Sequence, residues 1–295
     1  MATETTTGST VPRRQLGRHL RALRNEAKLT TKLAARALEW SEPKLWRIET
    51  GQTTLRSLDV EAMCRVYGAP TEVTAGLTQL AKETKAHGWW HAYDDVIPEW
   101  LNLYLGLEEA ASQLFWYESE LVPGLLQTAD YARAVIGAGH RDAEPEEITR
   151  RVQARIGRQT LLTRTTAPLT IGVLLNEAVL RRPVGDPVVM EGQLRQLADD
   201  ALLPNVSIRV VPFRVGLHRG ALTGPFVIMR FPLNSDGQDS EPPVVYVDGF
   251  TGALYLEKPN EIHRYHDAYA DIAATTLDGP DSRTLILDAA KDHAP

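Results

Sequence analysis

At 295 residues the chain has room for two domains and is too long for one small module. Its composition, 43% hydrophobic and 24% charged, is that of an ordinary globular protein, and no apolar run approaches the ~18 residues of a membrane span. The net charge of −6 argues, taken whole, against a polyanionic partner. Its distribution argues the opposite: residues 11–70 hold 12 Lys/Arg against 6 Asp/Glu, whereas residues 71–295 hold 20 against 31.

Residues 1–12 are Thr-rich and lack the charged start and apolar centre of a signal peptide, so they read as a disordered arm on a cytoplasmic protein. From Arg13 to Ala27, Leu16, Leu20, Leu23 and Ala27 fall on one helical face, with Arg13, Arg14, Arg18, Arg21 and Arg24 off that line towards solvent or phosphate. Thr30 is a natural N-cap for a second helix, whose small residues Ala34, Ala35 and Ala37 let another helix cross closely. After a break at Glu39-Trp40, Ser41 caps a third helix over 42–49, with Pro43 in the tolerant first turn, Leu45 and Ile48 inward, and Gly51 as the stop. A fourth helix, about Leu58 to Tyr67, ends at Gly68; it holds the single cysteine, Cys64, beside Met63 and Val66, as a core residue.

Two short helices, a tight turn and a capped second helix form a helix-turn-helix, expected over 13–70. Such a capped helix places its N-terminal half in the DNA major groove. Lys44 and Arg47, one turn apart, are expected to read guanine edges; Glu42 suits a cytosine amino group, and Pro43 shares the same face. Thr31, Lys32, Gln52, Thr53 and Arg56 are the expected phosphate contacts. A plain helical bundle for protein contacts is the competing reading. The run Leu29-Thr30-Thr31, Ala34-Ala35-Arg36-Ala37-Leu38, Trp40-Ser41 and Arg47-Ile48-Glu49-Thr50-Gly51 resembles XRE-type regulators of the Cro and phage-repressor group, in the branch abundant in actinomycetes. That resemblance implies a lambda-repressor-like all-α domain. Three positions depart from it: Glu39 stands where Gly is usual, costing about 1 kcal/mol if φ is positive; Leu33 replaces a Glu and Trp46 a small polar residue.

Residues 71–87 read as a linking helix with Val73, Leu77 and Leu80 on one side. The boundary falls at Gly88-Trp89-Trp90-His91, opening an α+β domain with a central sheet over 88–288 and leaving 289–295 as a tail. Trp89, Trp90, Trp100 and Trp116 read as core or interface aromatics, with Trp89, Trp90 and Trp116 the candidates for a dimer contact. Beyond them the pattern predicts helix from Leu114 into an extended segment at Val122, then helices at 126–136, 146–162 and 190–202. Glu146–Arg150 and Glu147–Arg151 are spaced as ion pairs on the second of these. Strands are predicted at 169–175, 206–210, 226–231, 244–247 and 253–256, and Ile262, Tyr265, Tyr269 and Ile272 stripe a terminal helix.

His87 with His91, and His263 with His266, are spaced for a metal but lack a third ligand, so no metal or cofactor is expected. No phosphate loop, dinucleotide fingerprint, nucleophile elbow or zinc-protease motif is present, and no enzyme activity or catalytic residue is expected. Arg214, His218 and Arg219 sit in a Gly-rich loop suited to an anionic ligand or an acidic partner, or simply to solvent. Gly88-Trp89-Trp90-His91, Tyr117-Glu118, Glu120-Leu121-Val122-Pro123-Gly124-Leu125-Leu126-Gln127-Thr128, Pro225-Phe226 and Gly252-Ala253-Leu254-Tyr255-Leu256 resemble the domain of unknown function attached to actinomycete, WhiJ-like regulators. The resemblance implies a small protein partner encoded nearby, with an antitoxin-like or developmental role. The expected protein is therefore a homodimeric transcriptional regulator on an inverted-repeat operator. An antitoxin-like sequestering protein and a small-molecule sensor are the alternatives.

Overall fold

The structure is a computed structural model that describes residues 10–84, 89–93, 95–233, 237, 239–249 and 252–293. The chain divides into two compact units, one running to Ala92 and including Leu101–Ala110, the other comprising Tyr93–Trp100 and Ala111–Pro295.

The first unit is all-helical: α1 (Thr10–Glu26), α2 (Thr31–Ala37), α3 (Glu42–Glu49), α4 (Ser57–Tyr67) and α5 (Thr71–Glu83), with most of α6 (Glu99–Ala110). The expected arm lies outside the described residues up to residue 9, and its last three residues already belong to α1. Thr30 and Ser41 cap as expected, accepting from the Leu33 and Lys44 N–H groups. Each of α1 to α3 closes with the paired hydrogen bonds of a left-handed terminator, for example Gln52 N–H to Arg47 O at 2.8 Å and Gly51 N–H to Ile48 O at 3.0 Å. At the first two closures the left-handed residue is not glycine but Lys28 and Glu39, both at φ 56°. Each gives up about 1–2 kcal/mol to hold the turn.

Leu16, Leu20, Leu45, Ile48, Val60, Met63, Cys64 and Tyr67 form one apolar core, as the periodicity predicts. The core also takes in Leu77 and Ala81, so α5 is a structural helix of this unit and not a free linker. Its apolar stripe was legible; that the stripe meets the same core was not, since periodicity gives a face but no partner.

The second unit is built on a mixed six-stranded sheet. Its strands are β1 (Gln113–Glu118), β2 (Thr170–Asn176), β3 (Val206–Val211), β4 (Phe226–Arg230), β5 (Val244–Gly249) and β6 (Gly252–Leu256), in the order β3-β2-β1-β4-β5-β6. β1, β2 and β3 run parallel, which requires long crossovers. These are supplied by α7 (Ala129–Gly139), α8 (Pro145–Gly157) and α9 (Thr160–Thr163), then by α10 (Ala178–Arg181) and α11 (Pro187–Asp200). β4, β5 and β6 are antiparallel to their neighbours. The short α12 (Arg219–Thr223) precedes β4, and α13 (Pro259–Ala273) and α14 (Gly279–Asp292) close the chain.

The helix predicted to start at Leu114 and to run into an extended segment at Val122 is instead strand β1, which ends at Glu118. Leu114 and Trp116 are buried, and so is Tyr117 on the opposite face, so a central strand covered on both sides loses the period-two pattern. Tyr117 packs with Phe226, Ile262, Ala268 and Ile272, which places α13 on that face. α13 is not the terminal helix. α14 follows it and protects the β3 edge: Val210 N–H donates to Ser282 Oγ at 3.0 Å, and Leu277 N–H to Val210 O at 2.8 Å. Ala289 and Ala290 are buried on α14, which runs to Asp292, so the first residues of the expected tail are helix packed on the domain; 294 and 295 lie outside the described residues.

Candidate nucleic-acid interface

The turn between α2 and α3 is held by its caps, and the position of α3 is held from behind by α1. The two helices cross at Gly17, where a Cβ would lie 2.5 Å from Ile48 O, so the backbones touch with no side chain between them. Below that crossing Arg24 and Glu49 form a buried bidentate pair, Nε to Oε1 at 2.6 Å and Nη2 to Oε2 at 2.9 Å. Arg24 also donates to Leu29 O at 2.8 Å, so one guanidinium joins the turn after α1 to Glu49 at the far end of α3. Glu49 is the main reason that Arg24 holds its proton more tightly than a free guanidinium. Arg14 is buried too, lying over Gly51. Arg14 and Arg24 thus do not face solvent or phosphate, as their place off the leucine line predicted. The signal for the pair is an arginine and a glutamate in separate helices, and no spacing rule joins residues 25 apart.

With Leu45, Ile48 and Glu49 turned inward, the outward face of α3 consists of Glu42, Pro43, Trp46 and Arg47. Trp46 is 54% exposed, and Leu33 on α2 is 53% exposed. Lys44 departs from the expected arrangement. It is half-buried, with Nζ 3.7 Å from the centre of the Trp40 ring, so it lies back over the turn. A cation–π contact of this kind is worth about 0.5–1 kcal/mol at an exposed site, little enough for a phosphate or base to compete. Flanking this face, Lys32, Gln52 and Arg56 are exposed, while Thr31 and Thr53 are half-buried. Arg56 pairs with Asp59 at 3.2 Å.

In the second unit, the segment Leu121 to Thr128 is a polar clamp. Gln127 Nε2 donates to Val122 O at 2.7 Å, and Gln127 Oε1 accepts from Arg155 at 2.9 Å. Gln193 donates to Leu126 O at 2.8 Å and accepts from Thr128 N–H at 2.7 Å. These bonds satisfy backbone groups that the turn buries, so the run is needed for the fold itself.

Trp116 is buried on β1, with its indole N–H donating to Glu118 Oε1 at 3.0 Å. Burial pushes the Glu118 carboxyl up to about 7. The folded chain then keeps a proton that the unfolded chain has lost, so this contribution to stability is full below about pH 4.5 and is lost as pH rises through about 7. Glu118→Gln, which keeps the acceptor oxygen, is expected to raise Tm near pH 8 and to leave it nearly unchanged near pH 5. Thermal melts of both proteins at the two pH values check this; an equal shift at both would contradict it.

Trp90 is fully buried and Trp89 half-buried, the two rings edge to face at 6.2 Å. Trp90 and Trp116 thus offer no surface to a second copy. Arg214 and Arg219 are exposed, but His218 is buried, its Nδ1 accepting from Gly220 N–H at 3.2 Å as the cap of α12. The three residues therefore do not converge on one site. His263 pairs with Asp267 at 3.5 Å, and His266 packs on Phe115. Arg151 pairs with Glu147 as spaced, whereas Arg150 reaches Asp95 at 2.6 Å and not Glu146. His87 and Gly88 lie outside the described residues. Among the described residues no three His, Cys, Asp or Glu side chains are grouped for a metal, and no helix is long and apolar enough to cross a membrane.

Residues 15–77 match the family model described as a helix-turn-helix domain, and residues 101–288 match the one described as a domain of unknown function (DUF5753). The second match begins inside α6, so the family boundary and the division into compact units differ by that helix. No curated protein and no solved structure matches the chain.

Proposed function

The chain belongs to the DUF5753 family, whose model covers residues 101–288 behind a helix-turn-helix domain, and from that premise we propose that it is a DNA-binding transcriptional regulator. The carrying observation is the outward face of α3, where Glu42, Pro43, Trp46 and Arg47 stand on a short capped helix in the basic segment 11–70 of an otherwise acidic chain. Arg47 suits the O6 and N7 acceptors of guanine, and Pro43 and Trp46 suit the methyl group of thymine. Lys32, Gln52 and Arg56, with Thr31 and Thr53, hold the phosphates on either side; Lys44 joins them or the bases by swinging off Trp40.

One short helix reads only a few base pairs, so the regulator acts as a homodimer on an inverted repeat, with half-site centres about 10 base pairs apart or a multiple of that. Its setting is the cytoplasmic nucleoid, in the XRE-type, WhiJ-like branch of actinomycete regulators, and the family domain supplies dimerisation and control by a small protein partner.

Arg47→Ala is expected to cost roughly 1–3 kcal/mol on the preferred site and to relax preference at one position of each half-site. Lys32→Ala is expected to weaken all sequences about equally. Titration of matched and mismatched duplexes with both variants checks the assignment; unchanged preference in a folded Arg47 variant places recognition elsewhere.

A further inference from the structure

The segment between β3 and β4 is rooted in the domain by a titratable side chain. Leu217, Arg219, Ala221 and Leu222 are exposed, and between them only His218 and Gly220 are buried. Gly220 offers no side chain, and it lies so close to the Tyr117 ring that none fits there. The side chain that anchors α12 is therefore the imidazole of His218, 8% exposed and edge to face with Tyr117 at 6.0 Å. An apolar anchor holds alike at every pH, whereas an imidazole changes charge near neutrality.

Both ring nitrogens meet donors. Nδ1 accepts from Gly220 N–H at 3.2 Å, and Nε2 stands 3.2 Å from the side-chain nitrogen of Asn176 at the end of β2. The Asn176 oxygen accepts from Ala178 N–H at 2.9 Å, which turns its amino group towards the ring. A neutral imidazole brings one lone pair to these two donors. An imidazolium brings none, and sets N–H against N–H on both sides. Burial also holds the His218 pKa below the ordinary histidine value.

The neighbouring groups do not offset a charge on the ring. Arg214 and Arg219, on the segment itself, are exposed cations. Glu177, after β2, accepts from Phe213 N–H at 2.8 Å and pairs with Arg181 at 3.2 Å. On β1, burial pushes the Tyr117 hydroxyl up to about 12, so it stays neutral. Glu118 lies on the Trp116 side of β1, and its titration moves stability the opposite way. From α13, Tyr265 packs on Phe226, and His266 and Tyr269 pack on Phe115. Glu261 pairs with Lys258 at 3.5 Å, and His263, Arg264, Asp267 and Asp271 are exposed.

We infer that His218 is a pH-sensitive latch: neutral, it pins the 217–223 segment to the ends of β1 and β2, and protonated, it lets that segment go. The released ring takes up a proton as an exposed histidine does. Release is therefore resisted in full above about pH 6.5 and eases as pH falls below it.

Hydrogen exchange of the full chain near pH 7.5, 6.5 and 5.5, corrected for intrinsic rates, tests the latch. The Gly220, Ala221 and Gly224 amides, which donate to His218 Nδ1, His218 O and Gly220 O, are the reporters. In the wild type their protection is expected to fall by up to about tenfold per pH unit below about 6.5, while β2 and β4 stay protected. His218→Asn keeps an oxygen that caps the helix but does not titrate, so its protection should not change with pH. His266→Gln should keep the wild-type dependence. Equal wild-type protection near pH 7.5 and 5.5 overturns the proposal, as does a dependence that survives in His218→Asn. Should the Asn variant lose protection at every pH, the His218 ring signal of the wild type decides by nuclear magnetic resonance. A midpoint below about 6.5 supports the latch, and one at or above it overturns it.

Discussion

Replacing Glu49 by alanine is expected to destabilise the helical unit by about 3–5 kcal/mol, because it leaves the Arg24 guanidinium buried without its counter-ion. The pair sits where α1 meets the end of α3, so the same change should loosen the reading helix and lower DNA affinity even below the unfolding midpoint. Its energy is not that of the contact alone. Replacing both partners with apolar residues of similar size, Arg24→Met with Glu49→Leu, should recover much of the loss, since neither charge then needs solvation. Urea unfolding of the full chain, followed on the transition of the helical unit, measures both. A loss below about 1 kcal/mol for Glu49→Ala would show that water reaches the pair and that α3 is held by its apolar side chains.

Salt dependence is the second large effect. If Lys32 and Arg56 each neutralise one phosphate per copy, a dimer makes four such contacts, and the log–log slope of affinity against salt is about −3.6. Between roughly 50 and 200 mM salt this amounts to ~150-fold weaker binding. Lys32→Ala should halve the slope, because it removes one contact from each copy. Binding isotherms at stepped salt give both slopes, and an unchanged slope in the variant would remove Lys32 from the phosphate contacts.

Local signals in the sequence were reliable wherever the chemistry is local. Thr30 and Ser41 could be read as caps and Gly51 and Gly68 as stops, because each depends on neighbours within five positions, whereas Glu39 stood out as a turn residue only against the family pattern, which has Gly there. The inward Leu45 and Ile48 followed from period alone. What escaped depends on distant partners. Arg24 reads as a surface arginine until Glu49 is brought beneath it. β1 reads as helix because burial on both faces erases alternation. α14 had a usable start signal in Asp278, which caps the helix, and Pro280 in its first turn. Its apolar face is made of small residues such as Ala289 and Ala290, too weak a stripe to stand out. His218 was legible as a loop histidine but not as a cap, since its neighbours Arg214 and Arg219 made the segment look like an anion site.

The central claim, that α3 reads duplex DNA by sequence, is tested most directly by selecting bound duplexes from a random pool with the full chain and with its Arg47→Ala variant. The account predicts that the full chain enriches an inverted repeat with half-sites one helical turn, or a multiple of it, apart. The variant should enrich the same repeat with one position per half-site no longer specified. A full chain that enriches no sequence, or a variant whose preference matches it at every position, would contradict the claim.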